Sequence, residues 1–284
     1  MLTTAAKVRK AALGTIAAVL MAATLVAAAR TTGGGDPDPS VVRSDQGAIR
    51  GTVTDDARIF QGIPYAAPPT GPLRWRSPQP AANWSGVRDG TAPGPPCPPS
   101  SGGDEDCLYL NVSTPRNVSV GANRPITVWL RDTSPPAAEG GTILVTANHR
   151  QGPLGYLAHP SLKDSGNFGL EDQQAVLRWV QRNAKAFGGD PSDVTLVGEC
   201  AQLAAPGSGY LFRRAIVRGG SCADEAAHRT RKEALRDGTA LAERLGCTGP
   251  SAADCLRRIS PAALAKADDT PYGPVYGTPQ LPSP

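Results

Sequence analysis

The chain has 284 residues, of which 40% are hydrophobic and 19% charged, with a formal net charge of +4. That length and apolar content suffice for one domain with a real core, or at most two small ones, and exclude a disordered chain. The arginines are spread along the sequence without a basic run, which excludes the electrostatic footprint of nucleic-acid binding.

In chain order, the first segment predicts an export signal over residues 1–29. Lys7, Arg9 and Lys10 form a short basic start, residues 11–29 are apolar, and Ala27-Ala28-Ala29 offers a small-residue cleavage end. An uncleaved membrane anchor is the rival reading, since nineteen apolar residues (11–29) can just span a bilayer. Residues 30–40, rich in Gly, Pro and Asp, predict a flexible lead-in, and residues 41–284 the folded domain. From 41 to 65, short apolar-alternating runs separated by Gly47, Gly51 and Gly62 predict an antiparallel hairpin region. Residues 64–101 are so dense in proline that neither helix nor central strand can persist, because each proline lacks an amide donor. This stretch is expected as a long surface loop pinned by Trp75, Trp84 and the pair Cys97 with Cys107.

Residues 126–130 and 142–146 predict buried strands. Over 171–187, Val176, Leu177, Val180, Ala184 and Phe187 recur at helical spacing, and Gly188-Gly189 stops the helix. Strands follow over 193–197 and 215–217, and a second helical pattern over 225–245; the tail from 271 onward carries no periodicity. The alternation of strand and helix predicts an α/β fold, a mostly parallel sheet with helices on both faces.

Six cysteines in an exported chain are expected to be oxidised. Cys97 with Cys107, and Cys247 with Cys255, stand close in sequence, and each pair would close a short loop. Cys200 and Cys222 are left over. No pair of His or Cys has ligand spacing with further ligands close by, so no metal is expected, and no cofactor is called for. Asn83, Asn111 and Asn117 open glycosylation sequons, which matter only in a glycosylating host.

The turn after residues 193–197 reads Gly198-Glu199-Cys200-Ala201-Gln202. A strand-to-helix turn that exposes a nucleophile needs small residues two before and two after it; Gly198 meets that need and Gln202 does not. A cysteine can serve as nucleophile, its thiolate favoured at a helix N-terminus. Alternatively Cys200 is a cysteine packed in a turn, or one paired with Cys222.

Several ordered motifs then carry a resemblance. Gln61-Gly62-Ile63-Pro64-Tyr65-Ala66, Pro72-Leu73-Arg74-Trp75, Glu105-Asp106-Cys107-Leu108-Tyr109-Leu110-Asn111-Val112 and Gly152-Pro153-Leu154-Gly155-Tyr156-Leu157 come first. Asn167-Phe168-Gly169-Leu170-Glu171-Asp172-Gln173, Ala186-Phe187-Gly188-Gly189-Asp190-Pro191, Leu211-Phe212-Arg213-Arg214-Ala215-Ile216 and Gly273-Pro274-Val275 follow. Together they resemble the type-B carboxylesterase and cholinesterase family, in that family's order and over nearly all of the mature chain. The resemblance implies an α/β-hydrolase fold, hydrolysis of a small carboxylic ester by a serine, a histidine and an acidic residue, and an oxyanion hole of glycine amides. It also places Cys97 with Cys107, and Cys247 with Cys255, like the family's disulfides.

Four departures from the family pattern bear on activity. Cys200 stands where the family has its serine. The His-Gly-Gly-Gly oxyanion loop should follow Leu130, where this chain reads Arg131-Asp132-Thr133-Ser134 in a shortened loop. The stretch between Cys200 and Leu211 is shorter than the pattern, so a stunted helix is expected there. The sequence also ends ahead of the family's acid and histidine positions, and none of His149, His159 and His228 is placed by spacing as a substitute base. The resulting expectation is a secreted carboxylic ester hydrolase by family, weakly active or inactive. The alternatives are a non-catalytic secreted binding protein whose protein partner is unknown, or a non-functional fragment of the same fold.

Overall fold

The computed structural model describes residues 38–99, 103–130, 141–198, 200–217, 229–267 and 269–283. The expected export signal, the oxyanion-loop segment 131–140, Cys222 and His228 lie outside the described residues.

A seven-stranded sheet forms the centre. Its strands are β3 (Thr52–Val53), β4 (Ala57–Pro64), β6 (Tyr109–Pro115), β7 (Arg124–Trp129), β8 (Ile143–Ala147), β9 (Gly189–Gly198) and β10 (Arg214–Val217), in the spatial order β10-β9-β7-β8-β6-β4-β3. The half from β10 to β8 is parallel, and from β8 through β6 and β4 to β3 it is antiparallel. The α/β architecture expected from sequence is therefore present, on a mixed sheet. A separate three-stranded sheet joins β1 (Val41–Arg43), β2 (Ala48–Arg50) and β5 (Val87–Asp89).

Strand β6 is central, yet the sequence reading passed over it. Its alternation is regular, with Leu110, Val112 and Thr114 buried and the residues between them half-buried, which is the period-2 signature of a pleated strand. The proline-rich stretch behaves as expected. Apart from a single 3₁₀ turn and the short outlying β5, its described residues beyond Pro64 form no regular structure, and Trp75 and Trp84 anchor it by donating to the carbonyls of Pro153 (2.9 Å) and Ala48 (2.7 Å). Both expected short-range disulfides are present, Cys97–Cys107 and Cys247–Cys255.

After β8, the short helix α1 (Gly152–Tyr156) leads to α2 (Phe168–Asn183), which begins ahead of the position expected from periodicity. Its apolar stripe, Val176, Leu177, Trp179 and Val180, lies in the main core with Phe60, Leu110, Val128, Val145 and Leu196. Phe187 closes this cluster with its ring edge-on to Phe60, the centroids 5.4 Å apart. The stop at Gly188 is steric as well as conformational. Its φ is +84°, and a Cβ there would lie 2.3 Å from Val118 and 2.6 Å from the Ser119 carbonyl.

Behind the short α3 (Ala201–Ala204) and β10, the strand β11 (Arg229–Thr230) enters α4 (Arg231–Arg244) through a capping box of Thr230 and Glu233. Helices α5 (Ala252–Arg258) and α6 (Pro261–Lys266) complete a second core around Trp75, Phe168, Leu241, Leu256 and Leu264. Midway along α4, Gly238 lets the helix approach Ala158 so closely that a Cβ would sit 1.9 Å from the Ala158 carbonyl oxygen. The aperiodic tail is also ordered. Strand β12 (Val275–Tyr276) pairs in parallel with β11, and Asn167 exchanges hydrogen bonds with both the Val275 carbonyl (2.7 Å) and its amide (2.9 Å).

One buried ion pair joins these parts. Arg150, after β8, donates to both oxygens of Asp172 in the first turns of α2, at 2.8 and 2.7 Å, and the Arg150 amide adds a third bond at 3.1 Å. The two side chains are 3% and 0% exposed. Removing one partner of a pair this deep leaves an uncompensated charge, at a cost of about 3–5 kcal/mol. Asp172→Asn should therefore lower the unfolding free energy read from urea titration by that order, while the double change Arg150→Met with Asp172→Leu should cost less than either single change. A double variant less stable than both singles would show that the pair is not the constraint. Neighbouring Glu171 is the opposite case. Burial pushes its pKa up, the Ser77 and Gln280 side chains offset this only in part, and Oε2 makes no hydrogen bond among the described residues. A carboxyl whose folded pKa is raised lets the folded state hold more protons, so stability falls as pH rises from the unfolded value through the folded one. Glu171→Gln should thus be more stable than wild type at pH 7, with the advantage vanishing below pH 4; urea unfolding at both pH values reads this directly, and an advantage that grew towards acid would refute it.

Candidate active site

In an open sheet with parallel strands, the place for a ligand is the crevice outside their carboxyl ends. Here those ends are Trp129 of β7, Ala147 of β8, Gly198 of β9 and Val217 of β10. Leu130 continues β7 by donating to the Val197 carbonyl (2.9 Å), so the chain leaves β7 beside the end of β9. Cys200 stands two residues beyond Gly198, at the start of α3. Cys200 thus lies at the carboxyl edge of the parallel strands.

The local geometry differs from that of an exposed nucleophile. Cys200 has φ −64° and ψ −30°, an ordinary right-handed helical conformation without the strain of a nucleophile elbow. Among the described residues an added Cβ at Gly198 would meet nothing nearer than 3.7 Å, so they do not require a glycine there for space. Helix α3 has only four residues, which realises the expected stunting and leaves too few aligned peptides for a useful macrodipole.

Gln202, the residue that breaks the small-residue pattern, is 1% exposed and fully engaged. Its Nε2 donates to the Leu170 carbonyl and to Gln173 Oε1, each at 3.0 Å, and its Oε1 accepts from Ser208 Oγ at 3.1 Å. Gln174 Nε2 donates in turn to Ser208 at 3.0 Å. This network clamps α3 and the following turn to α2 and was not legible from spacing; the only signal was a long amide at a position that favours glycine.

Cys200 is half-buried and disulfide-bonded. The other described cysteines are bonded to one another, Cys97 to Cys107 and Cys247 to Cys255. A sulfur in a disulfide presents no thiolate, which is the form that attacks an ester.

Two of the three histidines are described. His159 is buried, and its Nδ1 is within 2.7 Å of Ser161 Oγ and accepts from the Ser161 amide at 3.1 Å; burial pulls its pKa down. It serves a local turn, in line with the structural role expected. His149 is buried directly before Arg150. Among the described residues no group of three or more His, Cys, Asp or Glu side chains is placed to hold a metal, and no helix is long and apolar enough to cross a membrane.

The chain is 40% identical over 217 residues to fumonisin B1 esterase of Sphingopyxis macrogoltabida, an alignment covering 64% of this chain and 40% of that one. It is 36% identical over 263 residues to para-nitrobenzyl esterase of Bacillus subtilis, covering 81% of this chain and 52% of the relative. Among solved structures, a carboxylesterase of Geobacillus stearothermophilus superposes with a TM-score of 0.74 at 31% identity, over 83% of this chain and 55% of that chain. The chain thus spans about half the length of the relatives it matches. With residues 38–283 matching the model of the carboxylesterase family, and the same α/β-hydrolase architecture in its solved relatives, the chain belongs to that family.

Proposed function

We propose that this protein is a carboxylic ester hydrolase by descent in which Cys200, at the nucleophile position, is held oxidised with Cys222, leaving hydrolysis weak or absent while that bond is intact. The observation that carries the reading is the state of Cys200, disulfide-bonded and in relaxed helical backbone where an ester-attacking group would stand. Cys222 is the one cysteine left once the short-range pairs are made. Esters are the substrate class because the similar enzymes are named as esterases, and the body would be a small molecule. The shortened segment after Leu130 points the same way, since the loss of one oxyanion donor lowers rate by about a hundred- to a thousandfold.

Disulfide bonding and the export-like start support residence in an oxidising compartment outside the cytoplasm. One observation favours a second reading, a secreted binding protein on the same fold. Gln202 fills the turn with packing and hydrogen bonds where a hydrolase needs an open elbow.

The test is hydrolysis of 4-nitrophenyl acetate without reductant by the wild type, Cys200→Ala and Cys222→Ala, each checked for folding by circular dichroism. Wild type and Cys200→Ala should agree within about twofold, a difference of less than 0.5 kcal/mol in barrier. Any thiol-dependent hydrolysis should emerge only in Cys222→Ala, where Cys200 is released. A wild-type rate that falls more than about tenfold in Cys200→Ala, or 1.4 kcal/mol, would overturn the reading and make Cys200 a working nucleophile.

A further inference from the structure

Glu171, Ala175, Arg178 and Arg182 recur at three- and four-residue steps along α2 and so share one face. The proline-rich segment 77–83 runs beside that face and leaves a cleft of about 360 Å³. Pro78, Pro80, Ala81 and Ala175 give it an apolar side, and Asp45, Arg178 and Arg182 line it as well, so its walls are about as polar as they are apolar. The volume falls at the small end of the roughly 300–1,000 Å³ typical of small-molecule sites.

The charges in the cleft are unequal in their partners. Arg182 Nε bonds Asp45 Oδ2 at 2.8 Å, so that cation is answered. Arg178 is half-buried and donates no hydrogen bond to another described residue; burial pulls its pKa down, with only the more distant Tyr210 and Glu171 working against that and Arg182 adding to it. Glu171 lies seven residues away on the same face, about 10 Å along the axis. None of the Arg178 nitrogens is both buried and unpaired, so its donors face water in the cleft and stay available to a bound acceptor. Its best complement is a carboxylate, which the planar fork binds through two parallel hydrogen bonds.

We propose that this cleft binds a small organic carboxylate, with the carboxylate on the Arg178 guanidinium and the apolar body between the prolines and Ala175. A single unanswered cation matches a monoanion better than a phosphate dianion. The proline walls are rigid before binding, so little ordering entropy is lost when the cleft is filled. The site makes no use of Cys200 and stands whether or not the protein hydrolyses esters.

Benzoate is a suitable probe, titrated calorimetrically into the oxidised full chain at constant ionic strength. One-to-one saturable binding with a Kd below about 1 mM is expected. Arg178→Gln should weaken it at least tenfold and Arg178→Lys less, while benzamide, of the same shape but uncharged, should not bind. Arg178 makes no hydrogen bond to another described residue, so its replacement should leave the fold intact; Ala81→Phe, which fills the cleft from its wall, should abolish binding independently. No saturation by 10 mM benzoate, unchanged affinity in Arg178→Gln, or tighter binding of inorganic phosphate than of benzoate would each overturn the proposal.

Discussion

The structure hangs on the buried pair of Arg150 and Asp172. Charges this deep are tolerated only when each donor and acceptor is matched, and here the matching reaches into several parts of the chain. Besides Asp172, Arg150 donates to the Arg76 carbonyl at 2.9 Å, which ties the proline-rich loop to the end of β8. Gly155 and Gly169 let α1 and α2 close on the Arg150 carbonyl, since a Cβ at either would lie within 2.4 Å of its oxygen. A fixed Asp172 fixes the register of α2 over the sheet. The face of α2 bearing Gln173 and Gln174 then holds α3, and the face bearing Ala175 and Arg178 lines the cleft.

Much of this could be read from sequence because it follows from local rules. Gly188 ends the α2 segment where periodicity and glycine agree, and the β7, β8 and β9 runs are apolar because parallel strands are covered on both faces. The disulfide loops followed from spacing alone. What escaped had a different physical origin. Strand β6 sits between prolines and cysteines, and its alternation is diluted by Asn111 and Ser113, which face the less buried side. The tail has no period because non-local bonds order it, namely those of Asn167 with Val275 and of Asn167 Nδ2 with Thr278 Oγ1 at 2.7 Å. The capping box of Thr230 and Glu233 was a legible local signal that marks the true start of α4.

The candidate site shows where sequence spacing stops being informative. A pentapeptide centred on Cys200 fits a nucleophile turn by position, and the fold does put it at the carboxyl edge of the parallel strands. Whether such a turn is reactive depends on the backbone angle of one residue, the bonding state of one sulfur and the company of Gln202. None of these has a periodic signature. The relaxed φ of Cys200 and the satisfied amide of Gln202 occur together in this short turn. A long side chain in this position is buried and must satisfy its polar end. The hydrogen bonds that satisfy it, from α2 and Ser208, hold the short α3 in regular helical geometry.

Helix α2 is therefore the common wall of both regions, and this limits how they can influence each other. Coupling between two sites requires an element with two discrete arrangements that both sites bias. Ten of the sixteen residues of α2 are buried, its first turns are locked by the Arg150 pair, and its last turn is fixed by Asn183, which accepts from the Asp45 amide at 2.8 Å. A helix held at both ends and along its core face has no second arrangement of comparable energy. Occupation of the Arg178 cleft should consequently leave the geometry at Cys200 unchanged, since the two regions lie against different faces of one rigid helix.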